Sequence, residues 1–380
     1  MAKPLIYLDH AAATPLDPRV LKAMQPYYSD IFYNPSATYE PAIMARKGLD
    51  RARSTIAHWL GARPAEIIFT AGGTEANNLA IHGVMRQFPE GNVLVSAIEH
   101  ESVLAAAAGY DCRQVAVTAD GRLDSAELER QLDDKTVLVS IGYANNEIGT
   151  VQPLREIAKI IAAKRRGRPN LPLYFHTDAA QAGNYLDLHV ARLGVDLLTV
   201  NGGKIYGPKQ SAALYVKAGV RLLPLIEGGG QERGLRSGTE NVAAAAGLAT
   251  ALEIAQNSRH EESKRLQTLQ EQFFQQVGAA APTAVINGSR RWRLPNNVHL
   301  TFPGQDNERL LIQLEQAGIL AAAGSACSAS NEEPSHVLKA IGLSEAEARS
   351  SLRFSLGRAT EKAMLEQTVK SLINLLSLTT

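Results

Sequence analysis

From about residue 65 the chain alternates short apolar runs with longer amphipathic ones. EIIFT is followed by AGGTEANNLAIHGV, NVLVS by AIEHESVLAAA, CRQVAV by DSAELERQL, and TVLVSIGY by ANNEIGTVQPLREIAKIIAAKRR. Two further runs, Leu173 to Phe175 and Leu197 to Val200, have the unbroken apolar character of strands buried on both faces. Strands alternating with helices of this length predict right-handed βαβ units and a mostly parallel sheet. Asp124 and Glu127 have the spacing of a capping box at the start of one of these helices.

The flanks read differently. IYLDHAAATP opens as a short strand and breaks at Pro15, and Asp17-Pro18 opens a helix to about Tyr28. IFYNPSATYE is loop, and a long helix follows from about Pro41 to Leu60, with Leu49, Ala52, Ile56 and Trp59 on one face. Beyond Ala255 comes a helical stretch, about Glu262 to Val277. Short strands (TAVING, NNVHLTF, GILAAA) then alternate with helices (NERLLIQLEQ, SHVLKAIG). The pattern predicts a large α/β domain over residues 15–255. A smaller α+β domain is predicted from residues 1–14 and 256–380, with Glu253 to Lys264 as the connecting segment.

Composition narrows the class. The 380 residues carry 39 Lys and Arg against 38 Asp and Glu, a formal net charge of +1 with both signs mixed along the chain. This balance argues against nucleic acid or a membrane surface as the main partner. No stretch approaches the ~18 uninterrupted apolar residues of a membrane span. The opening MAKPLIYLDH lacks the apolar region of a signal peptide, which predicts a cytoplasmic protein. Two cysteines, Cys112 and Cys327, leave no disulfide framework and no cysteine metal site to expect. The basic run KRRGRPN, residues 164–170, reads as a solvated helix end.

The candidate chemistry gathers just after the strands. Ligands of open α/β sheets bind beyond the carboxyl ends of the strands. Asp178 and Lys204 stand at two adjacent strand ends, an acid and an amine suited to pyridoxal phosphate. In TAGGTEANN, Gly73 and Thr74 open a helix whose exposed N–H groups suit a phosphate, although a plain strand-to-helix turn reads equally well. His100, Asn146 and Gln181 also follow strands. Each alone is an ordinary surface or turn residue, but six such groups on one edge exceed chance. Thr239, after the glycine-rich GGGQERGLRSGTEN, opens another helix. Arg353 alternates on a strand and could clamp a carboxylate or form a structural ion pair. Cys327, among small residues in ILAAAGSACSASNEEPSH, reads as a reactive thiol, whereas Cys112 beside a strand reads as structural.

Taken together, YLDHAAATP, FTAGGTEANNLAI, EHESV, NNEIGTVQP, FHTDAAQA, GGKIYGPK, GGGQERGLRSGT, GSACSAS and SSLRFSLGR resemble the cysteine desulfurases of the NifS and IscS type. These form part of the class V aminotransferase group of fold type I pyridoxal phosphate enzymes. The resemblance implies a seven-stranded-type sheet in the large domain, pyridoxal 5'-phosphate as cofactor, L-cysteine as substrate and a homodimer. It implies Lys204 as the Schiff-base lysine, Asp178 as the partner of the pyridine nitrogen, and Gln181 and Asn146 beside the ring oxygen. His100 would stack on the ring and handle protons. Gly73, Thr74 and Asn201 would lie at the phosphate, with Thr239 reaching the neighbouring subunit's phosphate. Asn34 and Arg353 would grip the substrate carboxylate, and Cys327 would carry the persulfide. Sulfur would then pass to an acceptor protein serving iron–sulfur cluster assembly or tRNA thiolation.

Three departures stand out. Relatives read S-G-H-K before the lysine, whereas this chain has Asn201-Gly202-Gly203-Lys204, so Gly203 offers no side chain to the phosphate. Tyr39 replaces a common histidine, and the sequence ends soon after the last helix, at LINLLSLTT, where some relatives carry a longer tail for a scaffold protein. Two alternatives stay open: a selenocysteine or other C–S/C–Se lyase independent of Cys327, and a weakly active sulfur-transfer scaffold.

Overall fold

The computed structural model describes residues 5–166, 168, 171–324 and 334–377. Among them the strands are β1 Ile6–Tyr7, β2 Ile67–Thr70, β3 Asn92–Ser96, β4 Asp111–Val115, β5 Thr136–Ser140, β6 Tyr174–Asp178, β7 Leu197–Asn201, β8 Ala212–Val216, β9 Val285–Ile286, β10 Asn297–Thr301, β11 Ile319–Leu320 and β12 Ser351–Ser355. Seven form the main sheet in the order β2-β8-β7-β6-β5-β3-β4. Its pairs are parallel from β4 through β3, β5 and β6 to β7. The exception is β8, antiparallel to both β2 and β7. Its apolar AALYV lacks the amphipathic partner that marks the other strands. Residues 202–211 are too few for a crossover helix, so the chain must return antiparallel. Residues 92–96 and 136–140 are buried throughout, which explains their unbroken apolar pattern.

Helices cover the sheet. The Glu40–Leu60 helix buries Ala45, Leu49, Ala52 and Ile56 and ends on Gly61 at φ +62°, the left-handed turn that glycine adopts freely. The first helix is shorter than expected, Pro18–Met24, and Pro26 starts a separate turn because it has no N–H to continue the ladder. Asp124 caps the Ser125–Gln131 helix through Ala126 and Glu127 N–H, but only half of the capping box forms. The Glu127 carboxylate turns instead to Arg130.

One helix, Val242–Ala280, runs straight through the expected connecting segment. Residues 253–264 contain no Gly or Pro to break the helix, and buried Gln256 ties the segment to the Gly183 and Leu186 carbonyls. Burial changes partners along it. Val242 to Ala255 join the core under the main sheet. Leu266, Phe273 and Val277 join a second core with Val298, Leu300, Leu352 and Phe354. β10 lies between β9 and β12 in an antiparallel sheet of that second core. The start of the chain belongs there too: Ile6 pairs with Ile319, and Ile6 and Leu8 are buried in the same cluster.

Within the basic run, the described arginines are used locally. Arg165 donates to the Leu173 carbonyl at 2.6 Å and pairs with Asp196, and Arg168 donates to the Thr136 and Asp134 carbonyls.

Candidate active site

The carboxyl ends of β3, β5, β6 and β7 open onto one cavity. His100, Asn146, Asp178, Gln181, Asn201, Lys204, Gly73, Thr74 and Arg353 all line it. Asp178 is the last residue of β6, which extends three residues beyond the apolar run Leu173 to Phe175. Lys204 sits in the Gly202–Lys204 turn directly after β7. Its ammonium donates to the carbonyls of Ala11 at 2.9 Å and Ala12 at 2.6 Å. Gln181 reaches the same strap, Nε2 donating to the Ala11 carbonyl at 3.0 Å.

Asp178 is held from two sides. Oδ1 accepts the Ala180 N–H at 2.8 Å, and Oδ2 accepts Asn77 Nδ2 at 2.7 Å. Beneath it the fully buried His176 bonds Ser140 and Thr199, and burial pulls its pKa down to about 4 despite the nearby Asp178 charge. His100 caps the Glu101–Ala107 helix, its Nδ1 accepting the Ser102 N–H at 3.1 Å.

One end of the cavity is formed by the Gly73–Met85 helix, which starts there with Thr74 in its first turn. Asn201 leans over it. Its Oδ1 accepts the Gly203 N–H at 3.0 Å, and its Nδ2 stands 3.0 Å from where a Cβ of Gly73 would be. Gly203 itself is spacious: an added Cβ would meet nothing nearer than 3.6 Å, and its φ is not positive.

Arg353 is 1 % exposed. It donates to Asp9 Oδ1 at 2.7 Å and to the Asn146 carbonyl at 3.0 Å, while Nε has no partner among the described residues. Asn34 and Thr239 do not reach this cavity within their own chain. Asn34 is exposed, with Oδ1 accepting the Ser36 N–H, and Thr239 lines a separate cavity with Arg236 and Gly238. Cys327 lies outside the described residues. Cys112 is half-buried, and burial with Asp111 beside it pushes its thiol up, away from the reactive thiolate.

Several lining groups escaped the sequence reading. Glu99, directly before His100, is fully buried; Oε1 accepts the Gly142 N–H at 2.8 Å, and Oε2 has no partner among the described residues. Burial raises its pKa to about 8, with the Asp178 charge adding to the effect. Asn77 and Ser102 also line the cavity. The only available signals were the three-residue step from Thr74 to Asn77, one helical turn, and the neighbourhood of His100.

An amine, an acid at a strand end and a helix start that can take an anion fit pyridoxal phosphate, so fold and donor set define a site of the fold type I class. The chain belongs to the aminotransferase class-V family, whose model matches residues 6–367. Members of this family depend on pyridoxal phosphate. It is 40% identical over 371 residues to a protein named cysteine desulfurase IscS from Dictyoglomus turgidum, covering 96% of this chain and 92% of that one. A human protein named cysteine desulfurase is 39% identical, over 97% of this chain and 81% of its own. Among solved structures, a NifS-like protein superposes with a TM-score of 0.91 at 31% identity, over 98% of this chain and all (100%) of that one. A structure described as SspA in complex with cysteine has a TM-score of 0.80 at 37% identity, over 92% of this chain and 98% of the other.

Proposed function

We propose that this chain is a pyridoxal phosphate-dependent cysteine desulfurase, converting L-cysteine to L-alanine and leaving the sulfur on Cys327 as a persulfide. The observation that carries the reading is the convergence of Lys204, Asp178, His100 and Arg353 on one cavity, in a chain about 40% identical to proteins of that name. The SspA neighbour, described as a complex with cysteine, agrees with that substrate.

Bound pyridoxal phosphate supplies an electron sink for the substrate's α-carbon. Lys204 would anchor it, and Asp178 would hold the proton of its ring nitrogen. Asn146 and Gln181 would bind its ring oxygen, while Gly73, Thr74 and Asn201 would take its phosphate at the helix start. Arg353, whose Nε has no partner among the described residues, would bind the substrate carboxylate. Lys204 Nζ would take the α-proton, and His100 would handle protons in the same cavity. The Cys327 thiolate then attacks the substrate sulfur. An S–S bond forms as the C–S bond breaks, the electron pair passes to carbon, and a proton completes alanine.

Asn34 and Thr239, both remote from their own chain's cavity, are read as completing the site of a second copy in a homodimer. We also read residues 15–255 as a large domain and 1–14 with 256–380 as a small one, since the apolar burial of the long helix changes cores between Ala255 and Leu266. Among the described residues, no helix is long and apolar enough to cross a membrane. The sulfur acceptor is a protein partner, in iron–sulfur cluster assembly or tRNA thiolation.

The test is to incubate the holoenzyme with cysteine, quantify alanine and map persulfide by mass spectrometry. Persulfide on Cys327 and alanine release that stops in Cys327→Ala are expected. Undiminished alanine from Cys327→Ala with cysteine as substrate would instead favour a lyase that works without it.

A further inference from the structure

Four side chains beside the proposed cofactor position form an unbroken hydrogen-bonded line. Asn77, 1 % exposed, gives Nδ2 to Asp178 Oδ2 at 2.7 Å and to Ser102 Oγ at 2.8 Å. Ser102 Oγ lies 2.8 Å from His100 Nδ1, and the Ser102 backbone N–H points at that same nitrogen. Asn77 sits on the Gly73–Met85 helix, Ser102 and His100 at the start of the Glu101–Ala107 helix, and Asp178 at the end of β6. Three separate elements therefore meet in one chain of bonds.

The chemistry of each member fixes the direction of every proton. A carboxylate oxygen only accepts, so the amide must turn its NH2 toward Asp178. The same NH2 supplies its second hydrogen to Ser102 Oγ. That leaves the Ser102 hydroxyl proton free to point at His100 Nδ1. The backbone N–H is a fixed donor at the same atom, so Nδ1 of the neutral ring must be the acceptor. The remaining ring proton is then on Nε2. Asn77 Oδ1 has no partner among the described residues, so the bonds made by its NH2 set its orientation.

We propose that Asn77 and Ser102 are positioning residues that fix His100 in its Nε2–H tautomer and link it to the charge on Asp178. His100 thus meets the reacting groups first as a hydrogen-bond donor through Nε2, not as an acceptor. Asp178 and His100 do not act as independent groups, because one amide orients both. Other ionisable groups close to the line are Glu99 and Glu101 on either side of His100, His336 paired with Glu101, His176 beneath Asp178, and Lys204 across the cavity. None of them replaces the two donors at Nδ1. The inference rests on the desulfurase reading only for the group that His100 Nε2–H meets; the tautomer itself follows from the bonds.

The experiment uses full-length holoenzyme with 15N-labelled histidine, His100 being assigned by comparison with His100→Gln. The wild type is expected to show a protonated Nε2 and an unprotonated Nδ1 at His100. Asn77→Ala and Ser102→Ala should each move the Nδ1 resonance and lower kcat about tenfold with KM within twofold. Their double variant should be no slower than the worse single one, because both act through one chain. Ser102→Thr, which keeps the hydroxyl, should restore the wild-type resonance. An Nδ1–H tautomer in the wild type, unmoved His100 signals in both alanine variants, or multiplicative losses in the double variant would each overturn the proposal. If Asn77→Ala does not fold, the comparison of Ser102→Ala with Ser102→Thr decides on its own. The ring spectrum does so even if cysteine proves not to be the substrate, a failure that absent alanine release would report separately.

Discussion

Asp9 holds Arg353 by a 2.7 Å ion pair in which the guanidinium is almost wholly buried. The pair joins the start of the chain to β12, and the second guanidinium bond, to the Asn146 carbonyl, ties both to the end of the main sheet. Removing one partner of a buried pair strands the other charge, at a cost of about 3–5 kcal/mol. Asp9→Ala should therefore lower stability by about 3 kcal/mol in urea denaturation. Arg353→Lys keeps the charge but loses the planar fork, so KM for cysteine should rise about tenfold or more with little change in kcat.

Lys204 is the group on which cofactor attachment depends in the proposed reading. Lys204→Ala should lose the visible absorbance of the bound cofactor and its bleaching by borohydride, and activity should fall by at least ~10³-fold. A variant that keeps a borohydride-sensitive chromophore would place the attachment elsewhere.

Gly203 has room for a side chain beside the phosphate end of the cavity, and its backbone accepts an L-residue without strain. Gly203→His should tighten cofactor binding about tenfold, read as the dissociation constant on reconstituting the apoenzyme. Pyridoxal, which lacks the phosphate, should bind both proteins equally.

Glu99 gives a pH dependence whose sign follows from its burial. Its carboxyl titrates near pH 8 in the folded chain against an ordinary value of 4.5. Between those values the unfolded chain loses a proton that the folded chain keeps, so stability falls as pH rises from about 4.5 to about 8. Below that window the penalty is absent. The loss across the window is at most about 5 kcal/mol, since each tenfold change in proton affinity is worth ~1.4 kcal/mol. Glu99→Gln should remove the slope, and denaturation midpoints of the two proteins at pH 5 and pH 8 measure it.

Cys112 should tolerate Cys112→Ala with unchanged alanine release and persulfide yield. Its raised thiol pKa also predicts slow alkylation by iodoacetamide at pH 7.

Much of the site was legible because strand ends declare themselves. An apolar run that ends three residues before Asp178, and another that ends four before Lys204, mark the edge where ligands bind, whatever the rest of the fold does. The Thr74 helix start was legible for the same reason. What stayed hidden depends on contacts between distant parts of the chain. The carbonyls of Ala11 and Ala12 have no side-chain signature, yet they hold Lys204 across more than 190 positions. Asn77 reads as an ordinary helix residue until Asp178 arrives beside it. Glu99 looks like any surface glutamate, because its sequence neighbours do not reveal that Gly142 and β5 bury it. The antiparallel turn of β8 followed from a short connection, and the unbroken helix from the lack of any residue to break it.

That helix, Val242–Ala280, is 39 residues long, or about 58 Å at 1.5 Å per residue. It is a lever as well as a packing element. Bending it by ~1° at its middle moves either end by about 0.5 Å, roughly the whole tolerance of a reacting geometry. Arg353 and Leu8 belong to the core at one end, and the sheet that delivers Asp178 and Lys204 belongs to the other. Its continuity therefore acts as a gauge, setting the gap between the two halves that face the substrate, and a proline placed near Ser258 would misalign the site without touching it.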